Sequence, residues 1–301
     1  MNEFAPTPPS EVMINAALVR CLLASQHADL ATLPLGDRHE GWDNVTWRLG
    51  PDLAVRLPRR IIASTLVVTE LAWLPHISKE WPFAAPVPVR TGAPGCGFPW
   101  RWSVVPWVEG STAYDEPLTH KGAADLGLAL RALHQPAPRG APLNPYRSSP
   151  LANRISRARV RMEAIAAKAP HRGAYLDVDA AESLMRRGAQ SPSSERVCAH
   201  LDIHGDNVIT RDGRLAGIID WGDAGAGDRA TDLGQARVLL GHHKWQTMLR
   251  AYGTVDATTR RRAQAEAIGY AVTLAMMTDG AYAASAWNAL VSLGVATEQP
   301  H

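Results

Sequence analysis

Three polar side chains stand at a spacing that suits phosphoryl transfer. Asp202 and Asn207 are five residues apart, and Asp220 follows Asn207 by 13 residues. Apolar runs on both sides of Gly213 predict that the chain between them is a β-hairpin that returns to its start. This transfer requires a carboxylate that orients the attacking hydroxyl, and oxygen ligands that hold Mg²⁺ against nucleotide phosphates. The spacing therefore predicts that two carboxylates and an amide converge at one end of a hairpin.

The same residues carry a family resemblance. The segment from Cys198 to Asn207, followed by Asp220-Trp221-Gly222, resembles the signature of the protein-kinase-like antibiotic kinases, the aminoglycoside and macrolide phosphotransferases. That signature is His-x-Asp-x-x-x-x-Asn, followed after a hairpin by an Asp-Trp/Phe-Gly-type triplet. The resemblance implies that Asp202 is the catalytic base and that Asn207 and Asp220 bind Mg²⁺.

Two departures from the family pattern concern loop shape. Leu201 stands where the family most often has Gly, and Gly205-Asp206 stands where it has Pro-Gly. Downstream, residues 227–233 resemble the family segment Gly-Asp-Pro-Ala-x-Asp-Leu. The resemblance implies that Asp232 supports the catalytic loop from the start of a helix. Asp228 is equally well explained as the N-cap of that helix.

A metal site is the main alternative for this segment. Four candidate ligands alternate along it: His200, Asp202, His204 and Asp206. Alternate residues of a strand share one face, so a metallohydrolase is conceivable, but it gives Asn207 no role. A nucleophilic pair of Cys198 and His200 rests on sequence proximity alone. The histidines are better explained as supports of the loop.

The residues expected to bind the nucleotide lie mainly in the region of the N-terminal strands. None of the four lysines lies there, and the resemblance assigns the phosphate-binding cation to Arg56, with Glu70 as its helix partner. Without the resemblance, Arg56 is equally well explained as an edge-strand surface residue and Glu70 as a solvated helix residue. The polar loop 39–44 is a weak candidate for a cover over the phosphates. The backbone of Trp107 and Val108 is expected to pair with the purine, which leaves ATP and GTP both open.

The sequence leaves two classes of antibiotic open as the phosphoryl acceptor. Four acidic residues lie beyond Gly241: Asp256, Glu266, Asp279 and Glu298. Polycationic aminoglycosides need several carboxylates, so this acid-poor tail favours a macrolide, whereas the resemblance favours aminoglycosides. Asp223 and Asp279 are the candidate substrate contacts.

Hydrophobic periodicity predicts an α+β, bilobal architecture, and the resemblance implies that the fold is protein-kinase-like. A small antiparallel sheet with one inserted helix forms a nucleotide-binding N-lobe over residues 1–108, and a larger helical C-lobe over 109–301 carries catalysis and substrate binding. The predicted strands are 45–49, 53–57, 86–90, 102–108 and a hairpin within 196–221. The predicted helices are 11–26, 61–77, 118–134, 151–169, 174–188 and most of the chain from 228 onward.

Composition limits the partners. The chain has 301 residues and a net charge of +2, which argues against nucleic acid and against a membrane surface as partners. Its three cysteines are too few and too scattered to predict a disulfide framework, and no signal peptide is recognisable, so a soluble monomer in a reducing cytoplasm is expected.

The sequence thus predicts a kinase that uses Mg²⁺ and transfers the γ-phosphoryl group of ATP or GTP to a hydroxyl of an aminoglycoside or macrolide, conferring resistance by inactivation. A metabolite kinase of the same fold, choline- or homoserine-like, would share the site. A degenerate fold that only binds nucleotide or ligand is a further alternative.

Overall fold

The computed structural model describes residues 8–168, 174–277 and 280–298, which divide into two compact units. One unit comprises residues 8–109 with Gly217–Asp223, and the other comprises Gly110–Ala216 with residues 224–298. The helices are α1 Ala16–Gln26, α2 Ile61–Ile77, α3 His120–Leu133, α4 Ile155–Ala166, α5 Val178–Ala189, α6 Arg229–Tyr252, α7 Ala257–Leu274 and α8 Gly280–Ser292. The strands are β1 Leu35–Glu40, β2 Asn44–Leu49, β3 Leu53–Pro58, β4 Arg90–Gly92, β5 Trp102–Pro106, β6 Ser111–Thr112, β7 Ala174–Leu176, β8 Val197–Ala199, β9 Val208–Arg211, β10 Arg214–Ile218, β11 Gly225–Gly227 and β12 Ala296–Glu298.

The first unit is built on a five-stranded antiparallel sheet in the order β1-β2-β3-β5-β4. The predicted strands at 45–49 and 53–57 are present as β2 and β3, and β1 is an additional strand within a segment too polar to predict one. The predicted strand at 86–90 is wrong, because the strand begins at Arg90, preceded by one hydrogen bond from the N–H of Val89 to the carbonyl of Val104 at 2.9 Å. Pro86 and Pro88 have no N–H to donate, which keeps them out of a paired strand.

Helix α2 has the predicted bounds and determines where Glu70 lies. Its buried positions, Ala63, Val67, Glu70 and Leu74, are three or four residues apart, the spacing of one helix face. Glu70 therefore lies on the packed face of α2, and the prediction of a solvated helix residue is wrong.

A disulfide joins Cys21 of α1 to Cys96 in the loop between β4 and β5. The side chain of Gln26 aligns the two segments, because it donates to the carbonyl of Ala93 (3.0 Å) and accepts from its N–H (2.8 Å). The expectation that the three cysteines are too scattered for disulfide bonding is therefore wrong for one pair, and Cys198 is the free cysteine. A cross-link between residues 75 apart stabilises a folded chain by about 4 kcal/mol in the chain-entropy model. Cysteine usage thus gives no support to a reducing compartment.

The second unit contains the predicted hairpin. Strands β9 and β10 are joined by Asp212 and Gly213, which both have positive φ (54° and 66°), as a tight two-residue turn requires. Strand β6 pairs with β9 and extends the hairpin to three strands. The hairpin places Asn207, the end of the predicted catalytic loop (residues 200–207), directly before β9.

Helices α3 to α8 form the rest of the second unit around an aliphatic core that includes Met162, Met185, Ile268 and Leu290. The predicted helix at 174–188 begins later, at Val178, because β7 precedes it and pairs with β12. Helix α6 is two helical segments, since Gly241 has non-helical backbone angles (φ 67°, ψ 179°). No helix in the described part of the chain combines the length and apolar character that crossing a bilayer requires.

Candidate active site

The predicted catalytic loop follows β8 and carries Asp202. Asn207, in a short 3₁₀ turn, donates its amide N–H to the backbone carbonyl of Asp202 at 2.9 Å. The structure thus brings these two predicted residues together. Two donors converge on Oδ1 of Asp202: the guanidinium of Arg147 and the hydroxyl of Tyr270, which is 3.0 Å away. His204 Nε2 lies 3.7 Å from the other oxygen, Oδ2.

The charges around Asp202 keep it ionised. Burial alone would raise its pKa, but Arg147 and His204 outweigh burial and hold the pKa of Asp202 well below its usual range. Burial and the adjacent Asp202 raise the pKa of the Tyr270 hydroxyl, which therefore stays a donor. The arrangement fixes Oδ1 and leaves Oδ2 as the better placed atom to accept a hydrogen bond from a ligand.

Asp232 holds the loop from the first turn of α6, as the resemblance implies. Its carboxylate is fully buried, accepts from the N–H groups of His200 (2.8 Å) and Leu201 (2.7 Å), and lies 3.0 Å from His134 Nε2. Burial would raise the pKa of Asp232, but His134 and His200 lower it. Asp228 caps the same helix, since it accepts from the N–H of Ala230.

Leu201, at the position where the family most often has glycine, has a backbone conformation that favours glycine. Its φ is +67°, a strained value for a residue with a Cβ. Its N–H is bonded to Asp232, and its carbonyl accepts from Gln235 (2.7 Å) and Arg147 (2.5 Å), so three hydrogen bonds offset the strain. The departure at Leu201 therefore leaves the loop geometry intact.

The transition-metal alternative does not fit this loop. Residues 200–204 lie beyond the end of β8 and are not a strand. His200 Nδ1 accepts from the N–H of Asp202, and His204 Nδ1 accepts from the N–H of Asp206, so both rings support the backbone of this one loop. Among residues 8–168, 174–277 and 280–298, no three His, Cys, Asp or Glu side chains converge as metal ligands.

Sequence reasoning missed three residues of this loop's surroundings. Arg147 comes from the Pro-rich segment before α4, 55 residues from Asp202, and nothing in its own sequence marks it. Tyr270 and Tyr282 lie in the helical C-terminal part of the chain, and their hydroxyls donate to Asp202 and Asp206. Only the topology of α7 and α8 brings them to the loop.

Replacing Arg147 with Met should move the acidic limb of the pH profile of kcat/KM to higher pH. Without the guanidinium, burial is less opposed and the pKa of Asp202 rises, so protonation removes the base at a higher pH; the limb should shift by about one unit or more. Steady-state rates from pH 4 to 8 measure this, with exposed Arg139→Met from the same segment as the control. An unmoved limb would mean that Arg147 does not contact Asp202 in the working enzyme.

The first unit holds a second cluster of predicted residues. Arg56 lies on β3, between β2 and β5, so it is not on an edge strand. Its Nη1 donates to Glu70 (2.5 Å) and its Nη2 to Asp220 (2.9 Å). Burial disfavours the guanidinium charge, but Glu70 and Asp220 raise the pKa of Arg56. Burial raises the pKa of Glu70, against the influence of Arg56.

The triplet that contains Asp220 is anchored by its tryptophan. Trp221 is buried, stacks on Trp81 (ring centroids 4.4 Å apart) and donates its indole N–H to the carbonyl of Ile218. Asp220 itself has a φ of +60°, and its side chain is 44% exposed. The stack therefore fixes a backbone turn that presents a partly solvated carboxylate.

The remaining predicted positions are those for the purine base and for the acceptor. The N–H of Trp107 donates to the carbonyl of Asp52 at 2.8 Å, so that group is used within the unit, while the pairing of the Trp107 and Val108 backbone with a purine stays a prediction. Val108 lies beyond β5, which ends at Pro106 and not at the predicted residue 108. Asp223 is the last residue of the segment Gly217–Asp223, which belongs to the first unit. Asp279 lies outside the described residues.

Each predicted Mg²⁺ ligand offers an oxygen within its own unit. The amide nitrogen of Asn207 is used by the carbonyl of Asp202, which leaves its oxygen for a cation. Asp220 uses Oδ1 for Arg56, and its other oxygen belongs to a half-exposed carboxylate. Mg²⁺ prefers such oxygen ligands and retains several waters. The donor chemistry of both residues fits this ion.

Replacing Arg56 with Met should weaken nucleotide binding by about 10- to 100-fold, the usual contribution of charge-assisted hydrogen bonds to phosphate. Titration calorimetry measures the dissociation constant. Arg90→Met, which removes an exposed ion pair of the same sheet, is the control and should change nothing. Because Arg56→Met leaves Glu70 buried without its partner, the double variant with Glu70→Gln should be compared. Unaltered affinity in both would remove Arg56 from the phosphate site.

Comparison with known proteins places the chain. Residues 37–265 match the phosphotransferase enzyme family (APH), and the chain belongs to that family. No curated relative matches it significantly.

Solved structures of antibiotic kinases share the fold. The GDP complex of wild-type aminoglycoside 2′-phosphotransferase-IIIa is similar, with a TM-score of 0.71 at 17% identity over 93% of this chain and 99% of that one. Macrolide 2′-phosphotransferase MphH from Brachybacterium faecium gives 0.59 at 18% over 91% and 97%. The streptomycin-ATP-APH(2″)-IIa ternary complex gives 0.59 at 16% over 88% and 93%. The predicted α+β, kinase-like fold is confirmed.

Proposed function

We propose that this phosphotransferase transfers the γ-phosphoryl group of ATP or GTP to a hydroxyl of a small-molecule antibiotic, an aminoglycoside or a macrolide, and so inactivates it. The observation that carries the proposal is the ionised Asp202 carboxylate, whose Oδ1 is held by Arg147 and Tyr270. Asp232 supports the loop that carries this carboxylate, because it accepts a hydrogen bond from the backbone N–H of Leu201. A hydroxyl that donates to Oδ2 is oriented for attack and loses its proton to Asp202 as the new O–P bond forms, while the bond from the γ-phosphorus to the bridging oxygen breaks and ADP or GDP leaves.

The other groups serve charge neutralisation and positioning. Asn207 and Asp220 would each supply an oxygen ligand to Mg²⁺, which would provide positive charge against the nucleotide phosphates. Arg56, held by Glu70, donates hydrogen bonds to those phosphates, and its guanidinium retains free N–H groups for this purpose. Catalysis consists of alignment and electrostatic stabilisation, with no covalent enzyme intermediate. Val108 binds the base through its backbone, which admits either purine nucleotide.

The charges near the catalytic loop favour a macrolide over an aminoglycoside. Arg147 contacts Asp202 itself, and Asp206 is engaged by the hydroxyl of Tyr282. The ring of Tyr114 packs edge-on against that of Tyr282, with centroids 5.1 Å apart. Aromatic faces and a cation suit a large, weakly basic acceptor better than a polyamine.

A metabolite kinase of the homoserine-like kind is the second candidate. Arg157 and Arg161 lie one turn apart on α4, and neither has a carboxylate partner in the described part of the chain. Arg161 donates to Thr273, three residues beyond Tyr270 on the same helix. Two such guanidinium groups suit an acceptor that carries a carboxylate.

Steady-state kinetics across acceptor classes distinguish these possibilities. Release of ADP or GDP is followed with Mg²⁺, each nucleotide, and panels of macrolides, aminoglycosides and hydroxy amino acids. The highest kcat/KM is expected for a macrolide. A preference for hydroxy amino acids would replace the antibiotic with a metabolite, and acceptor-independent hydrolysis alone would contradict both.

A further inference from the structure

Two arginines that directly follow β3 hold the β1–β2 turn, which comprises residues 41–43. Nη1 of Arg59 donates to the carbonyl of Gly41 at 2.9 Å, and the backbone N–H of Arg59 donates to the carbonyl of Asp43 at 2.9 Å. The guanidinium of Arg60 donates to the carboxylate of Asp43 at 2.6 Å. Only 4% of Arg59 is exposed, so its bonds to the turn are shielded from water. These contacts fix the path of the β1–β2 turn.

The same arginines neutralise the acidic residues of this segment. Glu40 directly precedes the turn, and Asp43 lies within it. Arg59 forms an ion pair with Glu40, and Arg60 forms one with Asp43. Arg38 and Arg59 outweigh burial and lower the pKa of Glu40, so its carboxylate is charged and paired. The two arginines after β3 therefore set the charge of the turn as well as its shape.

Strand register places the turn close to the proposed phosphate-binding group. Thr46 of β2 pairs with Arg56, and Asn44, the first residue after the turn, pairs with Pro58. The turn therefore lies two to three residues along the sheet from the backbone of Arg56, about 7–10 Å at the rise of a strand. A chain of phosphates bound at Arg56 is within reach of the turn. Unneutralised carboxylates at that distance would repel it.

We propose that Arg59 is a positioning residue for the nucleotide: it holds the β1–β2 turn and, together with Arg60, neutralises it, so that the turn can lie against the phosphates at Arg56. The inference rests on the proposed function, since it requires a nucleotide at Arg56. The guanidinium of Arg59 is engaged by Gly41 and Glu40, so it acts on the phosphates through the turn. Backbone N–H groups of such turns bind phosphate oxygens.

Binding of a nucleotide and of its nucleoside separates this role from a purely structural one. Competition against a fluorescent nucleotide measures the affinities for ATP and adenosine, or for GTP and guanosine. Arg59→Met should weaken nucleotide binding by about 5- to 30-fold, the effect of one or two lost hydrogen bonds, and leave nucleoside binding unchanged. The control is Arg20→Met, an exposed arginine of α1, which should change neither affinity. Equal losses for both ligands, or no loss, would overturn the proposal.

A double variant separates the charge of Arg59 from its hydrogen bond to the turn. Arg59→Met leaves the carboxylate of Glu40 without one of its partners, and adding Glu40→Gln removes that charge. The double variant should recover part of the lost nucleotide affinity, and its affinity should depend less on salt than that of Arg59→Met. A double variant that binds no better than the single one would contradict the electrostatic part of the proposal.

Arg60→Met gives the same comparison if the buried Arg59 cannot be replaced without unfolding. Its partner Asp43 lies in the turn, so nucleotide binding should weaken selectively, and Asp43→Asn in the same chain should restore part of it. A selective loss with Arg56→Met and none with Arg59→Met or Arg60→Met would overturn this inference and leave the proposed function standing. An unmodified protein that binds no nucleotide would overturn both.

Discussion

Replacing Asp202 with Asn should lower kcat by about 10²- to 10⁴-fold while nucleotide affinity stays unchanged. An amide keeps the shape of the side chain but cannot take the proton of the attacking hydroxyl, and it also loses the charge that pairs with Arg147. Initial rates with the best acceptor and calorimetric titration of nucleotide measure the two effects separately.

Asp206→Asn is the matched control for this substitution. Asp206 lies in the same loop and also accepts from a tyrosine hydroxyl, that of Tyr282, but it does not contact Asp202 in the described structure. Its replacement should reduce kcat far less. A rate for Asp202→Asn within tenfold of the unmodified enzyme would show that another group accepts the proton.

The substitution Asp232→Asn should destabilise the fold by about 3–5 kcal/mol, the usual cost of removing one partner of a buried charge network. An asparagine amide cannot accept from the N–H groups of both His200 and Leu201, and one of these donors would face an NH₂ group. Urea unfolding measures the loss, and kcat should fall with it because the loop loses its support.

The pH dependence of unfolding distinguishes the loss of the buried Asp232 charge from a general loss of stability in the variant. Because the pKa of Asp232 is lowered in the folded state, its contribution is present above the unfolded value of about 3.9 and disappears as the pH falls below it. The Asn variant should lack this acid-dependent part. Glu163→Gln, which affects an exposed i,i+4 pair, should cost at most about 0.5 kcal/mol. Equal losses for both would contradict the buried network.

Much of the fold follows from local pattern. The apolar spacing of residues 61–77 predicts α2 with its observed bounds, and Asp212-Gly213 between apolar runs predicts the hairpin of β9 and β10. Strand β1 has one half-buried residue and five exposed ones, so no alternation marks it. Its pairing with β2 is decided by the backbone, which sequence periodicity does not reveal.

In the candidate site, too, the contacts within one loop were predictable from the sequence and those between distant elements were not. Asp202 and Asn207 are recognisable because one short loop carries both, and their contact is local. Arg147 and Tyr270 reach the same carboxylate from elements 55 and 68 residues away, and only the packing of α7 and of the Pro-rich segment brings them there. The disulfide of Cys21 and Cys96 was missed for the same reason, since sequence gives their separation and not their distance.

Product mass tests the central claim most directly. The pure protein is incubated with Mg²⁺, ATP or GTP, and macrolides or aminoglycosides, and the acceptor and nucleotide products are quantified together. The account predicts an antibiotic that gains one phosphoryl group, with one nucleoside diphosphate formed per product, and no product with Asp202→Ala. A protein that binds nucleotide but modifies no acceptor would contradict the proposed antibiotic kinase, and one that binds neither nucleotide would contradict the phosphoryl-transfer site itself.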